Sequence, residues 1–94
     1  MKKYELMLLC KPEIQEAGVK SNVKKITEYL SKEGIKKVDE DYWGQKNLAY
    51  KIKNYSEGIY TLLIFEFESS KVPDLKKFLD LNEDLIRYLL TVKE

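Results

Sequence analysis

The side chains in this 94-residue sequence that could do acid–base or covalent chemistry do not stand at a spacing that lets them do it. There is no histidine. That removes the side chain that most often moves protons near neutral pH and most often ligates metals. The single cysteine, Cys10, alternates in phase with Leu6 and Leu8. A small buried apolar side chain is a commoner fate for such a cysteine than a nucleophile. Glu40 and Asp41 are adjacent, so in an extended chain they point to opposite faces and form no acid–base pair. The four glycines are dispersed and make no phosphate-cradling loop. The chain reads as a non-enzyme, with no metal, no cofactor and no small-molecule substrate expected.

What remains is the chemistry of non-covalent contact. The total charge, 17 basic against 16 acidic residues, is too balanced to point to nucleic acid on its own. Any phosphate contact must come from local clusters. Lys2 and Lys3 open the chain, Lys46, Lys51 and Lys53 flank its middle, and Arg87 is the only arginine. Arginine's fork suits phosphate or carboxylate, and lysine supplies a point charge. Such contacts give salt-dependent affinity without reading base sequence. Each lysine taken singly is more often a solubilising charge; the set is the better candidate.

These residues need elements to hold them. Tyr4, Leu6, Leu8 and Cys10 alternate with Lys3, Glu5, Met7 and Leu9, which predicts a strand over 2–10 ended by Lys11-Pro12. Val19, Val23, Ile26 and Leu30 recur at helical spacing, so a helix is expected from about 13 or 17 to 33, closed by Gly34. A second strand over 35–42 is interrupted at Trp43-Gly44, as by a bulge, and resumes over 48–52. Residues 53–58 read as a polar turn and 59–67 as the strongest strand, apolar on both faces. Ser69 or Ser70 is expected to cap a second helix over 72–81. Pro73 sits in its first turn and Val72, Leu75, Phe78 and Leu79 form its stripe. A last strand runs over 85–92.

The order β-α-β-β-α-β is the split βαβ arrangement, an α+β, ferredoxin-like fold in one domain spanning 1–94. Right-handed crossovers put both helices on one face of a four-stranded antiparallel sheet of order 4-1-3-2. The other face is expected to be open, with Met7, Leu9, Tyr60, Leu62 and Ile64 on it. An apolar patch of that size calls for a partner. No run reaches the ~18 apolar residues of a membrane span, and the start lacks a secretory signal. With one cysteine, a reducing compartment, the cytoplasm, is expected.

The stretch Trp43-Gly44-Gln45-Lys46-Asn47-Leu48-Ala49-Tyr50-Lys51-Ile52 resembles the signature of the bacterial small-subunit ribosomal protein S six family. That signature has Trp-Gly, a basic residue, then Leu-Ala-Tyr-Pro-Ile. Met1-Lys2-Lys3-Tyr4-Glu5 resembles the family's Met-Arg-x-Tyr-Glu. Asn82-Glu83-Asp84-Leu85-Ile86-Arg87 is similar to the segment that opens its final strand. The resemblance implies a cytoplasmic structural constituent of the small ribosomal subunit. It implies binding to the central domain of the small-subunit ribosomal RNA, as a heterodimer with ribosomal protein S eighteen. By position it assigns Lys2, Lys46 and Arg87 to phosphate and Tyr50 to the interface. Lys3, in the same cluster, joins the expected RNA-binding set. Tyr4 is expected in the core. Lys51 replaces the usual proline, and Lys2 and Lys46 replace arginines, so bidentate contacts are not expected there. The competing reading is a small ligand-binding or enzymatic domain of this architecture, acylphosphatase-like or like the dimeric isomerases. It needs a catalytic arginine in a phosphate-cradling loop or a paired acid and base, and the sequence has neither.

Overall fold

A computed structural model describes residues 1–93. Strand β1 (Lys2–Cys10) leads through a short 3-10 turn (Pro12–Ile14) into helix α1 (Gln15–Lys32). Strands β2 (Val38–Ile52) and β3 (Tyr55–Phe67) form a long hairpin. A second 3-10 turn (Ser69–Lys71) opens helix α2 (Val72–Asp80), and β4 (Leu85–Val92) completes the sheet. The sheet order is β2-β3-β1-β4 with every neighbouring pair antiparallel, the expected 4-1-3-2 order read from the other edge.

The alternation in β1 sorts its side chains as expected. Tyr4, Leu6, Leu8 and Cys10 are buried in one cluster with Val19, Val23, Ile26 and Leu30 of α1 and Leu75 and Leu79 of α2. Ile59, Leu63, Phe65 and Phe67 of β3 join it from the same side of the sheet. The two helices are also tied to each other, since Tyr29 and Phe78 stack with ring centroids 4.4 Å apart.

Three local features depart from expectation or sharpen it. No serine side chain caps α2; Ser69 and Ser70 lie inside the 3-10 turn that supplies its first hydrogen bonds. Gly34, at φ 91°, closes α1 with the Schellman pair, Gly34 N–H to the Ser31 carbonyl (3.0 Å) and Ile35 N–H to the Leu30 carbonyl (2.9 Å). Ile35 is thereby turned into the core, so β2 starts at Val38 and not at 35. The polar turn shrinks to Lys53-Asn54, both at positive φ, the two-residue connection that matches the twist of paired strands.

One buried polar cluster holds the two halves together. Asn22 of α1 is 1% exposed. Its amide donates to Asn82 Oδ1 (2.9 Å) and its oxygen accepts from Asn82 Nδ2 (2.8 Å). Asn82 Oδ1 also accepts from the Asp84 backbone N–H (3.1 Å), and the Asp84 carbonyl accepts from Lys11 N–H (3.0 Å). The α2–β4 turn is thus fastened both to α1 and to the end of β1.

Candidate macromolecule-binding face

The register fixes what the helix-free face presents. One row across the sheet reads Arg87, Leu9, Tyr60, Gly44; the next reads Leu89, Met7, Leu62, Asp41; the third reads Thr91, Glu5, Ile64, Asp39. The expected partner-facing residues Met7, Leu9, Tyr60, Leu62 and Ile64 therefore share one face. They are not equally available. Met7, Tyr60, Leu62 and Ile64 are half-buried, but Leu9 is only 2% exposed.

Leu9 is covered because the chain's own hairpin reaches it. Asn47 pairs with Glu57 and Ile52 with Tyr55, so four residues of β2, 48–51, stand against Ser56 alone. The excess arches out of the ladder. Leu48, Ala49, Tyr50 and Ile52 line a concavity of about 260 Å³ with Met7, Leu9, Tyr60 and the Arg87–Leu89 stretch of β4. Gly58 makes room beneath, because a Cβ there would collide with Leu9 Cδ1 and stand 3.2 Å from the Cys10 carbonyl. Tyr50 remains 68% exposed on this arch and Leu89 57% exposed on β4. Leu89 is the apolar residue that the sequence reading omitted. Its alternation with Arg87 and Thr91 was the available signal.

The basic residues fall into two groups. Arg87 is exposed and pairs with Leu9, near the Cys10 end of β1. Lys46 pairs with Gly58 at that same end, and Tyr50 shares the concavity with Arg87. Lys2 and Lys3 pair with Phe67 and Glu66 at the opposite end. Seven residue steps along β1 separate Lys2 from Leu9, roughly 24 Å. The structure brings Lys46, Tyr50 and Arg87 towards one end and leaves Lys2 and Lys3 apart, where Lys3 pairs with Glu66 and shares a hollow with Lys36, Lys37 and Asp39.

The remaining reactive groups have structural surroundings. Cys10 is fully buried, and burial first, then the Asp84 charge, pushes its thiol up to about 11. It stays a thiol at neutral pH and is no nucleophile there. Tyr88 donates to Asp80 Oδ1 (2.7 Å), and desolvation followed by that carboxylate raises its hydroxyl to about 12. No group of three or more potential metal ligands occurs among the described residues. Neither is any helix long and apolar enough to cross a membrane.

A sheet that hides one side under helices and leaves the other as an apolar field with cations towards both ends is suited to docking another macromolecule. That defines the class: a ferredoxin-like docking domain. Residues 3–93 match the sequence model of the ribosomal protein S6 family, and the chain belongs to that family. It is 35% identical to the small ribosomal subunit protein bS6 of Dictyoglomus turgidum, over its whole length and 97% of that protein. It is 39% identical to the bS6 of Bifidobacterium longum, over 90% of this chain and 88% of that one. A crystal structure of 30S ribosomal protein S6 from Thermotoga maritima superposes with a TM-score of 0.85 over 98% of this chain and 87% of that one. At 24% identity that likeness shows the shared fold. The relatives are named as ribosomal proteins, which sets the enzymatic alternative aside and places this protein on the small ribosomal subunit, in the cytoplasm.

Proposed function

We propose that the protein binds the central domain of the small-subunit ribosomal RNA and does so as a heterodimer with ribosomal protein S eighteen. The observation that carries the reading is the juxtaposition of exposed Arg87 and Tyr50 around an apolar concavity on the helix-free face. Arginine and an exposed tyrosine suit a phosphate and a base or sugar. The half-buried Met7, Tyr60, Leu62 and Ile64 with exposed Leu89 suit a protein surface. Lys46 adds a cation at the Arg87 end. Lys2 and Lys3 contact the same RNA only if it also passes the far end of the sheet, roughly 24 Å away.

The test is a binding titration of the protein with small-subunit ribosomal RNA at low salt, with and without the S eighteen partner. Association that tightens with the partner and weakens steeply with salt is expected. No association in either case rejects the reading.

A further inference from the structure

The end of the sheet where β1 finishes carries a cavity set apart from the helix-free face. The last partners of β1 are Ile59 in β3 and Leu85 in β4, both opposite Cys10. β3 starts four residues before Ile59, at Tyr55, so the hairpin tip overhangs the end of β1. Because β1 lies between β3 and β4, the tip and the start of β4 stand two strand spacings apart, roughly 10 Å. The gap between them is a slot of about 500 Å³. That volume is in the range of small-ligand sites.

The side chains that line the slot specify its occupant. Lys11 comes from the end of β1, Lys53 from the hairpin tip and Arg87 from β4. None of the three is in an ion pair among the described residues. Three unspent cations from three places in the chain converge on one cavity, which suits a phosphate. Tyr55, half-buried in the lining, supplies an aromatic ring. Two carboxylates are also present. Asp80 already accepts from the Tyr88 hydroxyl (2.7 Å), whereas Glu83 is exposed and in no ion pair among the described residues. Glu83 therefore offers an acceptor to N–H donors, and it disfavours a polyphosphate or an acidic peptide.

We infer that the slot takes one unstacked nucleotide of RNA, with a preference for guanine. The phosphate would meet Lys11, Lys53 and Arg87, the base Tyr55, and the Watson–Crick edge of that base Glu83. Guanine presents two N–H donors side by side on this edge, which a carboxylate accepts as a pair. Uracil presents one N–H between two carbonyls, which a carboxylate repels. Unstacked bases in single-stranded RNA are read by such edge contacts and by aromatic rings. Arg87 lines both the slot and the concavity that holds Tyr50, so one RNA strand passing Arg87 reaches both. The inference deepens the ribosomal RNA reading and rests on it for the source of the nucleotide.

The probes are guanosine monophosphate, uridine monophosphate and inorganic phosphate, each titrated into the intact isotope-labelled protein at low salt. Amide shifts at Lys11, Lys53–Tyr55 and Glu83–Arg87 are expected, with the guanine nucleotide bound at least fivefold tighter than the other two. Glu83→Gln, at an exposed position, should erase that preference and leave phosphate bound no more weakly. Lys53→Gln should weaken all three at least threefold. Both variants should also lose affinity for small-subunit ribosomal RNA, Glu83→Gln despite shedding a negative charge. Equal affinity for the two nucleotides, a Glu83→Gln variant that keeps the preference, or shifts located elsewhere would each overturn the inference while RNA binding by the native protein stands. Guanine-selective binding with RNA affinity unchanged in both variants would overturn RNA as the source of the nucleotide. Failure of the native protein to bind the RNA, by contrast, sinks the broader reading.

Discussion

Replacing Asn22 tests the claim that one buried amide joins the two crossovers. In Asn22→Ala the reciprocal pair with Asn82, at 2.9 and 2.8 Å, disappears. Each such bond contributes about 1 kcal/mol net, and the partially buried Asn82 amide left behind adds a desolvation penalty, so about 2–3 kcal/mol is expected. For a domain of this size that lowers Tm by roughly 10–20 °C. Asn22→Asp is nearly isosteric but worse at neutral pH. It points a carboxylate at Asn82 Oδ1, in a site 1% exposed, where Asp84 Oδ2 stands 3.4 Å from the present amide nitrogen. Asn82 cannot simply flip, because its Oδ1 also accepts the Asp84 N–H. An uncompensated buried charge puts the cost at about 3–5 kcal/mol. Burial and Asp84 raise the new carboxyl's pKa in the folded state. The deficit against the native protein should therefore be small below the unfolded value of about 4 and grow as pH rises through the folded one. Urea denaturation of all three proteins at pH 4 and pH 7 measures this. An Asn22→Ala cost under about 0.5 kcal/mol, or an Asn22→Asp deficit that does not change with pH, would refute the reasoning.

Other outcomes follow from the site and the fold. Arg87→Ala should leave folding stability within about 0.5 kcal/mol, since the side chain is exposed, yet weaken RNA binding and reduce its salt slope by about 1; an equal loss of stability, seen by thermal melting, would assign Arg87 to the fold. The Cys10 thiol should resist alkylation in the native protein at pH 8 and react on unfolding. Because its folded pKa is raised from 9.0 to about 11, its contribution is intact below 9 and is lost as pH climbs towards 11, by about 2 kcal/mol in denaturation at fixed ionic strength. Converting Lys53-Asn54 to Asn-Gly should stabilise the hairpin by about 1 kcal/mol, because glycine takes positive φ without the Cβ penalty; an unchanged urea midpoint would speak against that turn geometry.

Element order and sheet topology were legible because alternation in β1 and β3 and the 3.6-residue stripes of both helices are strong periodic signals. Leu9 shows the limit. Its face was readable, but its burial depends on a four-residue excess in β2, and periodicity says nothing about where an arch leans. The separation of Lys2 from Arg87 already follows from antiparallel pairing of β4 with β1, which sets the start of one beside the end of the other; only the exact partner, Leu9, depends on register and on a shift at Leu9/Cys10. Asn82 and Asp84 stand in a segment that resemblance tied to the family's final strand. Their work is mechanical, and only the approach of Asn22, 60 residues distant in sequence from Asn82, reveals it. The capping serines misled because a 3-10 turn can supply the first bonds of a helix that otherwise calls for a side-chain cap.

Strand order also shapes how the molecule is made. β1 leaves the synthetic machinery first but is flanked by β3 and β4, and β4 ends at Val92. Translation adds about 5–20 residues per second, so for some seconds the nascent segment Leu6–Cys10 has neither neighbour. Until β3 is made both edges of β1 stay unzipped, and one of them stays so until β4 follows. A chaperone or an early companion subunit would find its most vulnerable target in that interval.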